Sequence, residues 1–127
     1  MRLFLVRILA ANLAKEIPIR AEVLDVGTGD GSIAKAIALH RPDIKIEGID
    51  VLIRPYTHIP VHLFDGEHIP LSEKAVDVVL FVDVLHHTSD ARILLRQAAR
   101  VSRRHIVISS ARRSICQSDL TGDGLGR

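Results

Sequence analysis

With 127 residues, 47% of them hydrophobic and 25% charged, the chain reads as one small globular domain and not as a disordered or fibrous segment. Its 17 basic and 15 acidic side chains leave a net charge of +2, too little to mark a nucleic-acid binder by charge alone. Cys116 is the one cysteine, which excludes an internal disulfide and fits a reducing, cytoplasmic address; no apolar run reaches the roughly 18–20 residues that span a bilayer.

The opening "MRLFLVRILAANLAKEI" has Arg7 inside its apolar stretch, and Leu5, Leu9 and Leu13 continue as a helical stripe. Residues 2–16 are therefore expected to form a packing helix stopped near Pro18, not a signal peptide. "VLDV", 23–26, is a short apolar strand that runs into the glycine-rich turn "GTGDG". Ser32 to His40 fit a helix with Ile33, Ala34 and Ile37 on one face, and Pro42 marks its end. "IKIEGID", 44–50, is a second strand. Pro55 and Pro60 argue against a full crossover helix after it. "VHLF", 61–64, is a third strand, and "AVDVVLFVDV", 75–84, is β-branched and apolar enough for a strand covered on both faces. Asp90 to Val101 read as a helix, entered through Thr88 or Ser89, with Ile93, Leu94, Ala98 and Val101 inward. "HIVISS", 105–110, is a fifth strand, and residues 111–127 form a polar, glycine-rich tail without periodicity, expected to be flexible.

This alternation predicts an α/β domain over residues 1–110, with a mostly parallel Rossmann-like sheet and helices on both faces. Its functional crevice should lie beyond the carboxyl ends of the strands. Asp25, Asp50, Asp65 and Asp83 all fall at or just after predicted strand ends. The glycine turn has the spacing Gly27-x-Gly29-x-Gly31, and Ser32 takes the sixth place of the dinucleotide pattern G-x-G-x-x-G/A. Asp25 and Asp30 flank that turn. A pyrophosphate ~4 Å from either would meet repulsion on the order of 4 kcal/mol at an effective dielectric near 20. A ligand bearing an amine and a sulfonium reverses the sign.

"VLDVGTGDG" resembles motif I of the class I S-adenosylmethionine-dependent methyltransferases, an acidic residue followed by G-x-G-x-G. "GID", 48–50, is similar to the acidic end of that family's second strand. "FDGEHIPLSEKAVDVVLFVDVLHHTSD", 64–90, is similar to the ubiquinone-methyltransferase-like branch, and "AARVSRRHIVISS" to its fifth-strand region. The resemblance covers roughly residues 20–110 and implies strand order 3-2-1-4-5, with S-adenosylmethionine as cofactor. It implies that Asp25, Gly27, Thr28, Gly29 and Gly31 lie at the methionine end and that Asp50 accepts both ribose hydroxyls. Val51 would lie against the adenine, with Asp65 taking its exocyclic amine and Gly66 close by. Asp83 would face the methionine moiety or the acceptor, or else cap a turn. The family's sheet continues past strand five with a helix and an antiparallel hairpin, which residues 111–127 do not resemble. The resemblance therefore implies a C-terminally shortened form, with strand five an edge for a partner or a second copy to cover.

Methyl transfer from a sulfonium demands positioning, and a base when the acceptor is a hydroxyl or an amine. His87 and His86 are the candidate bases, with helix entry as their structural alternative. The methyl acceptor is unidentified: a small molecule, a lipid quinone, or an RNA or protein side chain. His58, His62 and His68 lack a tight ligand spacing and read as scattered surface histidines, so no metal is expected. Two other functions stay open. One is a non-enzymatic interaction module that meets RNA or an acidic partner through the helix face Arg92, Arg96 and Arg100 with Arg103 and Arg104. The other is a dinucleotide-binding oxidoreductase.

Overall fold

The computed structural model describes residues 2–85, 88 and 90–109. Five parallel strands are arranged β3-β2-β1-β4-β5: β1 Glu22–Val26, β2 Lys45–Asp50, β3 Val61–Leu63, β4 Val76–Val82 and β5 Ser102–Ser109. This is the predicted order. Three helices, α1 Arg2–Ala14, α2 Ser32–His40 and α3 Ala91–Val101, lie against the sheet.

The alternation of side chains along each strand divides the core in two. Val23 of β1 and Val78, Leu80 and Val82 of β4 pack with Ala10, Leu13 and Ala14 of α1 and Ala34 and Ile37 of α2. Leu24, Val26, Val79 and Phe81 face the other way, onto Leu94, Ala98 and Val101 of α3. Thus β4 is covered on both faces, as its continuous apolar run predicts. The expected leucine stripe of α1 is buried only toward its C-terminal end, since Leu13 is in the core while Leu5 is 57% exposed.

Two connections contain no helix. Residues 51–60 cross from β2 to β3 without one, as the prolines predict. Residues 64–75 join β3 to β4, with Ile69 fully buried at their centre. The second of these, and the turn between α1 and β1, are held by side chains that satisfy the backbone. Arg41, just past α2, donates to the carbonyls of Ala14, Ile17 and Pro18 at 2.6–3.0 Å and pairs with Asp43. Arg100 on α3 donates to the carbonyls of Ile69 and Leu71, both at 2.7 Å, and to Gln97 Oε1 at 2.8 Å.

Three expectations are revised here. Arg100 is not part of a solvated arginine face, because its guanidinium is turned into the 69–71 loop. Helix α3 is capped by Asp90, whose carboxylate accepts the Arg92 N–H at 3.0 Å, and not by Thr88 or Ser89. Strand β5 begins at Ser102, three residues earlier than expected. Arg103 is drawn into the strand because it bonds Asp77 at 3.1 Å and Glu22 at 3.0 Å, where β4 shifts register between Val76 and Val78. Ser110 and the expected tail, 111–127, lie outside the described residues.

Removing the Arg100 side chain strands two carbonyls in a partly buried loop. Arg100→Ala is expected to lower unfolding free energy by about 2 kcal/mol, read as a shifted urea midpoint with an unchanged slope.

Candidate functional site

The parallel sheet delivers the carboxyl ends of its strands to one rim, and the loops there close onto one another. Gly27, Gly29 and Gly31 all take positive φ, 73°, 62° and 78°. At two of them space is also limiting: a Cβ on Gly27 would stand 2.8 Å from Val84 Cγ2, and one on Gly31 would stand 2.7 Å from Ile59 Cγ1. The loop is therefore gripped from the β4 side and from the β2–β3 crossover. Below it, Thr28 packs on the bare Cα of Gly48, where a side chain would overlap its Cγ2.

Asp50, the last residue of β2, ties this loop to its own strand. Its Oδ2 accepts the Gly29 N–H and its Oδ1 the Val51 N–H, both at 2.7 Å. The Asp50 carbonyl accepts the Phe64 N–H at 3.0 Å, joining the end of β3. Gly66, φ 93°, presents its open side to Val51, whose Cγ1 would lie 3.2 Å from an added Cβ. Asp65 stands beside it at the surface and accepts the Glu67 and His68 N–H groups at 2.9 and 2.8 Å. Those bonds, the His68 N–H first, hold its pKa below the usual carboxylate value. Asp83 closes the row after β4 with φ 56°, its N–H donating to the Ser109 carbonyl at 2.6 Å. The structure thus brings Asp25, the glycine loop, Asp50, Val51, Asp65, Gly66 and Asp83 to one rim. His86 and His87 lie outside the described residues, between Leu85 and Thr88.

The two acids flanking the glycines differ in kind. Asp30 is half-exposed, and its carboxylate accepts the Ser32 N–H at 3.0 Å, the main cause of its lowered pKa, with His58 and Arg54 adding to it. Asp25 is only 3% exposed and lies beneath the loop, on the α1–α2 side of the sheet. Burial pushes its pKa from 3.8 up to about 7, against a 2.6 Å hydrogen bond from Thr28 Oγ1, while the charge of Asp50 raises it further. Asp25 therefore takes up a proton far more readily near neutral pH than an exposed carboxylate does. The simple picture of two carboxylates exposed beside the loop is corrected: Asp30 and Asp50 carry the rim's charge, and Asp25 supports the loop from below.

Arg54 escaped the sequence reading, and His58, read there as a scattered surface histidine, has a place at the loop. Arg54 lies at the open side of Gly29, with Nη2 and Nη1 3.8 and 3.9 Å from the position of an added Cβ. His58 donates its N–H to the Asp30 carbonyl at 2.8 Å and holds Nε2 3.9 Å from the Asp30 carboxylate. The other two histidines considered for a metal are elsewhere: His62 faces Glu47 at 3.2 Å, and His68 is bonded through its backbone to Asp65.

An open groove of about 1,090 Å³ adjoins the rim between α1 and α2, with Asp30, Ser32 and His58 at one end and Val6, Ala11 and Leu39 along it. A second cavity, about 370 Å³, is lined by Glu22, Lys45 and Val76, at the opposite ends of the strands. Of the rim's residues, Asp30, Ser32 and His58 line the first of these.

A parallel 3-2-1-4-5 sheet with a glycine loop after its central strand and acids at successive strand ends defines a Rossmann-like ligand-binding domain. A methyltransferase-domain family model matches residues 1–121, and the chain belongs to that family. It is 29% identical over 90 residues to a demethylmenaquinone methyltransferase of Thermotoga maritima, a match covering 65% of this chain and 39% of that one. The fold is similar to that of a Methanococcus maripaludis protein described as an S-adenosylmethionine-dependent methyltransferase (TM-score 0.69, 18% identity, 94% of this chain and 64% of that one). It is also similar to an S-adenosylmethionine-dependent methyltransferase of Aquifex aeolicus (TM-score 0.60, 22% identity, 78% and 62%). The chain spans about two fifths of the length of its curated relative and less than two thirds of these two solved structures.

The raised pKa of Asp25 makes stability depend on pH. Between about pH 4 and pH 7 the folded chain holds a proton that the unfolded chain has released, so stability falls as pH rises through that window. Above it the full cost remains, on the order of 4 kcal/mol. Asp25→Asn keeps an acceptor for Thr28 and is expected to flatten the dependence and raise the melting temperature at pH 8, measured by thermal unfolding from pH 4 to pH 8.

Proposed function

We propose that the rim binds S-adenosylmethionine and that the protein transfers its methyl group to an acceptor not yet identified. The observation that carries this is the Asp50–Gly29 tie. It sets a carboxylate with unused lone pairs beside a positive-φ loop that carries no side chain at Gly27, Gly29 or Gly31. Asp50 would accept the ribose hydroxyls while still holding the loop. Val51 and Gly66, already face to face, would flank the adenine, with Asp65 taking its amine. Gly27, Thr28, Gly29 and Gly31 would line the methionine end above Asp25, with Asp83 toward the transferred methyl group. A pyrophosphate would face the charges of Asp30 and Asp50, which speaks against the dinucleotide reading. The interaction-module reading loses Arg100 and Arg103 to internal bonds, leaving Arg92 and Arg96 exposed on α3.

The enzyme's part in such a reaction is to hold the sulfonium carbon in line with the acceptor and to exclude water. The α1–α2 groove adjoins the methionine end and is the place we assign to the acceptor. For an acceptor that must lose a proton, His87 or His86, following β4 and Asp83, would serve as base. A small molecule, a lipid quinone or a macromolecular side chain would each suit the groove's apolar wall with Asp30 and His58 at its end. The single cysteine supports a reducing, cytoplasmic setting, and no described helix is long and apolar enough to cross a membrane. Among the described residues β5 is the last strand of the sheet, and its outer edge is where we place a partner or a second copy.

Isothermal titration of the folded chain with S-adenosylhomocysteine tests the reading. Micromolar binding is expected, with at least tenfold loss in Asp50→Ala, where both ribose contacts and the Gly29 tie disappear. Absence of heat from a chain shown by circular dichroism to be folded would sink it.

A further inference from the structure

We propose that Arg54 is the carboxylate clamp of this site, its guanidinium taking the α-carboxylate at the amino-acid end of the adenosyl ligand. The inference rests on the S-adenosylmethionine reading and extends it to the one charged group of the ligand that the acids cannot serve.

The rim is acidic: Asp30 and Asp50 lie around the glycine loop and Asp25 beneath it. An ammonium and a sulfonium suit such a place, but a carboxylate does not, and it needs a cation of its own. Arg41, Arg100 and Arg103 are all turned into backbone carbonyls and acids away from the rim. His58 is set against Asp30. Arg54 feels the charge of Asp30 as His58 does, but its guanidinium makes no hydrogen bond or ion pair among the described residues. Its two terminal nitrogens lie over the bare Cα of Gly29, 3.8 and 3.9 Å from the position of an added Cβ.

The tether also fits. Residues 51–60 are fixed at one end by the Asp50 bonds to Gly29 and Val51. At the other end they are fixed by Ile59 on Gly31 and by the His58 N–H on Asp30. Pro55 restricts Arg54 itself to extended backbone. Arg54 is thus confined over the loop while its planar fork, which matches a carboxylate in two parallel bonds, is left unused.

Titrating wild type, Arg54→Leu and Arg54→Lys with S-adenosylmethionine and with its decarboxylated form isolates the contact. Wild type is expected to prefer the intact ligand. Arg54→Leu should weaken it about ten- to hundredfold, while binding of the decarboxylated form is unchanged or tighter, and Arg54→Lys should recover part of the loss. A loss shared equally by both ligands, as a merely structural role would give, overturns the proposal, and so does no loss for either. Failure of folded wild type to bind either ligand would instead remove the cofactor reading, and this inference with it.

Discussion

The upper rim of the sheet depends on the carboxylate of Asp50. Parallel strands deliver all their exits to one side, where loops leave backbone N–H groups without ladder partners. Asp50 takes two of them, from Gly29 and Val51, and so binds the exit of β1 to the exit of β2. Two residues earlier on β2, Gly48 gives Thr28 a flat surface, and Thr28 in turn donates to Asp25. A single strand end therefore fixes both the top and the underside of the glycine loop. Because a carboxylate has more acceptor sites than these two bonds use, it can hold the loop and still meet a ligand.

Much of this arrangement was visible in the chain's periodicity. The continuous apolar run of β4, the short apolar run of β1 and the prolines of the second crossover led to the observed elements because each reflects local packing or backbone chemistry. The acids were visible because they interrupt apolar runs at strand ends. Three things were not legible, each for a tertiary reason. The raised pKa of Asp25 follows from its burial beneath the loop, on the side of the sheet that α1 and α2 cover, which no residue type announces. The inward turn of Arg100 depends on carbonyls about thirty residues away, while its four-residue spacing from Arg96 points only to a helix face. Arg54, in a proline-bounded loop without periodicity, gains meaning only from the bare Cα it lies over.

The arginines explain how so small a domain manages with few helices. Where 64–75 crosses without one, and where α1 runs into Pro18, carbonyls would otherwise stand unbonded. Arg41 gathers three of them and Arg100 two, each with a planar group that reaches several acceptors at once. Arg103 does similar work at the opposite end of the sheet, joining β5 to β4 and β1 through Asp77 and Glu22. These three arginines serve the fold, and their charge says little about partners.

The contact between Gly27 and Val84 has a further consequence, in the order of folding. Strand β1 pairs with β4 across more than fifty residues of sequence, so the centre of the sheet must await a distant partner. Until β4 docks, Val84 is not in place and the glycine loop lacks one of its two walls. Completion of the fold and completion of the pocket are then one event, and half-paired chains have no pocket to offer. Any ligand that recognises the finished loop withdraws molecules from the unfolded pool alone, and its free concentration becomes a direct control on how much of this protein stays folded.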